Sequence, residues 1–166
     1  VKFYATQARE NRPYYYHEVI GYNYRMSNVC AGIGVGQMEV LDDHVARRRE
    51  IHEMYKRLLA TAACVKVMDN PSENFASNFW LSTITVKPES GHTPDELRLF
   101  LAEREIESRL LWRPMHMQPV YADAPYYSNG GVEERLFDTG LCLPSGSGLS
   151  DEQIERVARS ISDFGE

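Results

Sequence analysis

SNVCAGIGVGQMEVLDDHVARRREIHEMYKRLL, Ser27 to Leu59, reads as one long helix. Val29, Ile33, Val40, Leu41, Val45, Ile51, Tyr55 and Leu58 recur near helical spacing, and the Ser27 hydroxyl can cap the first turn. The two halves differ. The first holds Ala31, Gly32, Gly34 and Gly36; each glycine costs roughly 1 kcal/mol relative to alanine in a helix interior, so close packing against another backbone is the expected compensation. The second carries Arg47, Arg48, Arg49, Glu50, Glu53, Lys56 and Arg57, a solvated face with Asp43–Arg47 and Glu53–Arg57 as favourable i,i+4 pairs.

Downstream, FWLSTITV from Phe79 to Val86 is rich in aromatic and β-branched residues and partly alternates, which predicts a strand. Thr93 and Glu96 form a capping box with Pro94 at the first helical position, starting a helix to about Arg104. Glu107 to Trp112 reads as a second strand and Leu141 to Leu143 as a short third, ended by PSGSG. Ser150 and Gln153 make another capping box, and Ile154, Val157, Ala158 and Ile161 give the buried stripe of a last helix stopped near Gly165. The order helix, strand, helix, strand, strand, helix predicts a small α+β domain with helices packed on a short sheet. Residues 1–20 show no helical or strand period. With Pro13 ahead of Tyr14, Tyr15, Tyr16 and His17 they read as an arm or loop whose tyrosines pack on a partner surface.

A length of 166 residues fits one ordinary domain or a smaller lobe with an extension, and 43% hydrophobic with 11% aromatic residues says globular. The formal charge of −6 argues against a nonspecific nucleic-acid binder. Cys30, Cys64 and Cys142 are odd in number and widely spaced, which suggests neither a disulfide framework nor a zinc site and fits a reducing cytosol. No run approaches the roughly 20 apolar residues of a membrane span and no signal peptide opens the sequence, so a soluble cytoplasmic protein is expected.

Chemistry concentrates in two stretches. RLLWRPMHMQPVY, Arg109 to Tyr121, gathers Arg109, Trp112, Arg113, His116 and Tyr121 around Pro114 and Pro119, which fix φ and remove backbone donors. A stiffened loop of this kind can hold an anion, phosphate above all, against an aromatic wall. GYNYRMS, Gly21 to Ser27, sets Tyr22, Asn23, Tyr24 and Arg25 ahead of the long helix. Each residue has a plainer reading. His116 is either a donor to phosphate or a structural histidine, Arg109 and Arg113 are anion ligands or rim charges, Trp112 is a stacking platform or core, and Asn23 is a phosphate contact or a backbone cap. The Gly32, Gly34, Gly36 spacing is not a dinucleotide loop, because no strand precedes it. His17, His44, His52 and His92 lack metal-ligand spacing. The lysines are Lys2, Lys56, Lys66 and Lys87, and no complete catalytic set is present. From residues alone the reading ends at a cytosolic α+β domain with a phosphate-bearing ligand.

VKFYATQARE, HEVIGYNYRMSNVCAGIGVGQMEVLDDHVARRREIHEMY, IESRLLWRPMHMQPVY and LFDTGLCLPSGSGLSDEQIERV together resemble the sugar aminotransferase family named after DegT, DnrJ, EryC and StrS. The resemblance implies the aspartate aminotransferase fold, with residues 1–26 as an arm leaving a large domain and residues 27–166 as the C-terminal small α+β domain. It also implies pyridoxal 5′-phosphate, glutamate as amino donor, a keto sugar attached to a nucleotide diphosphate as acceptor, and a homodimer with a shared active site. By resemblance Asn23 reaches the cofactor phosphate of the neighbouring subunit and Arg25 contacts cofactor or nucleotide sugar. Arg109, Trp112, Arg113 and His116 are similar to the residues that approach the sugar and its diphosphate. In that family the Schiff-base lysine, the aspartate on the pyridine nitrogen and the ring-stacking aromatic precede the GYNYRMS stretch, where this sequence has twenty residues. The chain therefore looks like a C-terminal segment lacking the large N-terminal domain, with no catalytic residue of its own and no amino transfer expected from it alone. A sugar 3-dehydrase of the same superfamily and a free-standing binding domain are the alternatives.

Overall fold

A computed structural model describes residues 1–128 and 130–165, and the chain divides into two units after Leu41. In the first, α1 (Lys2–Ala5) is followed by Gln7 and Ala8, both in the left-handed region at φ 68° and 50°. This turn lets the amides of Gln7, Tyr22 and Tyr24 donate to the carbonyls of Tyr22, Tyr4 and Ala5, and Thr6 pairs with Asn23 in a single antiparallel bridge. Gly21 is required here, because a Cβ would run into the backbone of Gln7 and Ala8. The arm residues Tyr15 and Tyr16 lie under Arg9 and Arg12 as cation–π pairs at 4.1 and 5.5 Å.

Ser27 caps α2 (Asn28–Glu39), its hydroxyl accepting from the Cys30 amide at 3.2 Å. The single long helix expected from Ser27 to Leu59 is instead two: Val40 leaves helical geometry at φ −113°, ψ 9°, and α3 (Leu41–Leu58) begins beyond it. Three glycines weaken α2 and none of its residues is buried, while Asp42 and Asp43 favour a fresh helix start. Nothing described lies within 4 Å of where a Cβ of Gly32, Gly34 or Gly36 would sit, so the close packing expected of them is not met within the described residues.

The second unit continues with β1 (Val65–Val67), β2 (Ser82–Val86), α4 (Pro94–Ala102), β3 (Arg109–Leu110), α5 (Val132–Thr139), β4 (Gly140–Leu143) and α6 (Asp151–Phe164). The strands form one antiparallel sheet in the order β1-β2-β4-β3, with Val65 opposite Val86, Ser82 opposite Leu143 and Arg109 opposite Cys142. β4 is buried along its length, as a central strand must be, and β2 buries Ser82, Ile84 and Val86 in alternation. Against them pack Ile51, Tyr55 and Leu59 of the α3 segment, Leu97 and Leu101 of α4, and Ile154, Val157, Ala158 and Ile161 of α6. The α+β class and the helices-on-sheet layer are as expected, and both capping boxes form.

Three further elements differ from expectation. The strand predicted from Phe79 starts only at Ser82, because Phe79 takes a left-handed φ of 46°. The strand predicted over Glu107–Trp112 pairs only at Arg109 and Leu110, where β4 offers partners. Arg49, Glu50, Glu53 and Arg57 of α3 are exposed, as expected of a solvated face, but the arginine run also tethers distant segments. Arg47 donates to the Leu149 carbonyl at 2.8 Å and pairs with Asp151 at 2.7 Å, Arg48 donates to the Trp80 carbonyl at 2.6 Å, and Arg49 donates to the Ser77 carbonyl at 3.1 Å. Among the described residues no helix is long and apolar enough to cross a membrane.

Candidate functional site

The two prolines do stiffen the predicted loop. Two 3-10 turns, Met115–Met117 and Pro119–Tyr121, follow Pro114, and the Arg113 Nε closes the loop on the Met117 carbonyl at 3.1 Å. His116 points into a hollow of about 540 Å³ lined by Met115, Tyr121, Tyr126 and Glu133. Its Nε2 lies 2.9 Å from Glu134 Oε1, and its ring stacks on Tyr126 at 3.7 Å and 17°. The Tyr126 hydroxyl donates to Glu133; that bond raises the phenol's pKa and lowers the carboxyl's. Sequence reasoning missed Glu134 and Tyr126. The available signal was Glu133–Glu134 one turn ahead of Leu136 and Phe137, the start of α5.

Arg109 and Trp112 line a different hollow, a groove of about 500 Å³ whose wall also includes Trp80, Ser108, Gln153 and Arg156. Arg109 is held by Glu107 through Nε at 3.0 Å and Nη2 at 2.6 Å, a pairing that raises the guanidinium's pKa. Trp112 stacks with Trp80 at 6.1 Å between ring centres and 28° between planes. The structure thus brings Arg109 together with Trp112 in one hollow and sets His116 in another.

Asn23 and Arg25 belong to the first unit and are exposed. Tyr22 and Tyr24 stack at 5.3 Å and 14°, so strand alternation turns Asn23 to the opposite face. Its side chain has no hydrogen-bond partner among the described residues, which rules out the local-cap reading for it; Ser27 fills that role instead. His17 Nδ1 lies 2.9 Å from the Gln7 carbonyl and is engaged locally. None of the four lysines lines the His116 hollow or the Trp112 groove; Lys56 pairs with Glu53 at 3.0 Å and Asp69 at 2.5 Å, and Lys87 donates to the Ala62 carbonyl at 3.0 Å.

The model of the DegT/DnrJ/EryC1/StrS aminotransferase family matches residues 2–162. The chain belongs to this family. It is 43% identical to the putative pyridoxal phosphate-dependent aminotransferase EpsN of Bacillus subtilis, across 94% of this chain and 40% of EpsN. To the GDP-perosamine synthase of Escherichia coli O157:H7 it is 37% identical, across 90% of this chain and 39% of that enzyme. Among solved structures the aminotransferase TlmJ of Streptoalloteichus hindustanus superposes with a TM-score of 0.79 at 24% identity, covering 98% of this chain and 43% of TlmJ. That last likeness speaks for the fold. The chain therefore spans about two fifths of the length of these relatives.

Proposed function

We propose that the protein acts as a pyridoxal phosphate-dependent aminotransferase, moving an amino group from glutamate onto a keto sugar linked to a nucleotide diphosphate for glycan or polysaccharide synthesis. The observation that carries this reading is the 43% identity to EpsN along 94% of the chain. Bound cofactor would supply the electron sink for the transfer. Among the described residues these side chains do not form a seat for its ring: no lysine lines the His116 hollow or the Trp112 groove, and Asn23 and Arg25 stand exposed on a strand-like segment. What they can offer is peripheral. The free amide of Asn23 and the guanidinium of Arg25 suit a phosphate group presented by a neighbouring subunit of a homodimer, in the cytoplasm.

In the second unit, Arg113 uses only its Nε on the Met117 carbonyl, which leaves its terminal amino groups for a diphosphate oxygen. His116, fixed by Glu134, presents its other ring nitrogen to the sugar. Arg109 and Trp112 complete the substrate wall from the groove. These residues bind and orient; none supplies the amine that carries the cofactor.

The test is to incubate the 166-residue chain with pyridoxal phosphate, glutamate and GDP-, UDP- or dTDP-linked keto sugars, alone and together with a lysine-bearing large domain of a relative. Amino sugar formed only in the combined sample, detected by mass spectrometry, supports the reading. Turnover by the chain alone would overturn the assignment of the amine elsewhere, and a dehydrated sugar product would point to the dehydrase.

A further inference from the structure

The turn from Ser77 to Trp80 is held more firmly than a connection requires. Phe79 occupies the left-handed region, which an aromatic residue enters only when its surroundings force it. The forces are visible. Its ring lies flat on buried His52 at 3.6 Å and 8°, Arg48 and Arg49 donate to the carbonyls of Trp80 and Ser77, and the amides of Phe79 and Trp80 donate to Ser77 Oγ and Asn78 Oδ1, each at 3.0 Å. What this turn delivers is the indole of Trp80, set beside Trp112 at the groove. Both indoles nevertheless stay more than half exposed, at 58% and 67%. A large aromatic surface fixed in place and left bare is built for a ligand.

The groove's charges say which kind. Arg109 is taken up by Glu107, Arg156 donates to the Arg104 carbonyl, and Glu105 and Glu107 balance the two guanidiniums. No surplus positive charge remains to cradle a phosphate. Two neutral polar groups do remain: Ser108 Oγ is buried without a partner, and Gln153 spends only Oε1, on the Ser150 amide. A flat aromatic wall edged by neutral hydrogen-bonding groups fits a flat, uncharged ring with a polar edge.

We propose that Trp80 and Trp112 form the stacking platform for the nucleobase of the nucleotide sugar, with Ser108 and Gln153 at its polar edge. The inference rests on the nucleotide-sugar reading and divides the labour within it. The base occupies the groove, and Arg113, the next residue after Trp112, starts the diphosphate side.

Trp80 and Trp112 are the only tryptophans in the chain, so its tryptophan emission reports on this pair alone. The chain is titrated with GDP, UDP and, as a control without a base, pyrophosphate. The nucleotides should quench emission and pyrophosphate should not. Trp80→Ala, read through Trp112, should weaken nucleotide binding about 10-fold or more, and Trp80→Phe should retain most of it. Trp112→Ala, read through Trp80, is the second variant should the first fail to fold. Quenching by pyrophosphate equal to that by GDP, no quenching by either nucleotide, or unchanged affinity in both alanine variants overturns the platform. The combined amination assay separates the two ideas: amination with an unchanged KM in Trp80→Ala sinks the platform and leaves the aminotransferase reading standing. Base-dependent quenching without amination upholds the platform and sinks the aminotransferase reading.

Discussion

His116 Nε2 and Glu134 Oε1 lie 2.9 Å apart, with the imidazole stacked on Tyr126 behind them. An ionised carboxylate only accepts, so this contact selects the tautomer with the proton on Nε2 and leaves Nδ1 as the ring's acceptor. Glu134→Gln can offer either an oxygen or an amino group and loses that selection. With a hydrogen bond of about 1.5–3 kcal/mol weakened, kcat/KM of the lysine-complemented protein for nucleotide sugar should fall roughly 10- to 100-fold, with thermal stability little changed. A drop in Tm at unchanged KM would make the pair structural only.

Arg47 joins three elements: it reaches Glu50 on its own helix, the Leu149 carbonyl, and Asp151 at the start of α6. Its side chain is only a quarter exposed, so these bonds are partly shielded from solvent. Arg47→Met removes them while keeping an apolar stem. A loss of about 1–2 kcal/mol is expected, against less than about 0.5 kcal/mol for Asp151→Asn, which leaves the Leu149 bond intact. Chemical denaturation of the two variants measures the difference; equal losses would show that the carbonyl bond contributes nothing.

The same arginine illustrates what the sequence could and could not convey. Local signals were readable: both capping boxes and the Ile154–Ile161 stripe depend on neighbours three or four residues away. The arginine run read as solvated because its partners, at Ser77, Trp80, Leu149 and Asp151, are distant in sequence. Phe79 read as a strand residue because its aromatic character favours one, and only the stack on His52 and the tethers from α3 hold it left-handed. At three residues β1 is too short to show a period. At the candidate site, the proline-bounded loop around His116 could be read from Pro114 and Pro119, whereas Glu134 and Tyr126 reach His116 through a fold contact that no spacing rule encodes.

His52 is buried with both ring nitrogens unpartnered, and Asp69 Oδ1 stands off at 3.8 Å. Burial lowers its pKa below the usual 6.5, outweighing the attraction of Asp69 and Glu53, while Lys56 adds to the lowering. A depressed folded pKa means that below pH 6.5 the unfolded chain takes up the proton first. Its contribution is full above that pH, is lost as pH falls toward the folded pKa, and is constant below it. His52→Phe keeps the stack on Phe79 and removes the unpartnered nitrogens, so it should gain about 1 kcal/mol at neutral pH and flatten the stability profile between the two pKa values. Urea midpoints measured across mildly acidic pH for both proteins decide it. An unchanged slope would assign the pH dependence to other groups.

Gly21 has no room for a side chain, since a Cβ would meet the backbone of Gln7 and Ala8. The same contact buries Ala8 completely and sets the bridge that holds Asn23. Gly21→Ala must therefore push the GYNYR segment off the Gln7–Ala8 turn, an overpacking cost of about 1–3 kcal/mol. That cost falls on a unit whose few contacts cannot absorb it. The second unit, with its separate core, should keep its melting transition. Limited proteolysis should then cut within residues 6–25 faster in the variant than in the parent. Where Asn23 meets the cofactor phosphate in the complemented protein, pyridoxal phosphate affinity should fall with it. Gly32→Ala, at a helix position open to solvent, is the control and should stabilise α2 by up to about 1 kcal/mol. Equal cleavage of Gly21→Ala and the parent would mean that the turn yields to a methyl group and that Gly21 does not set the position of Asn23.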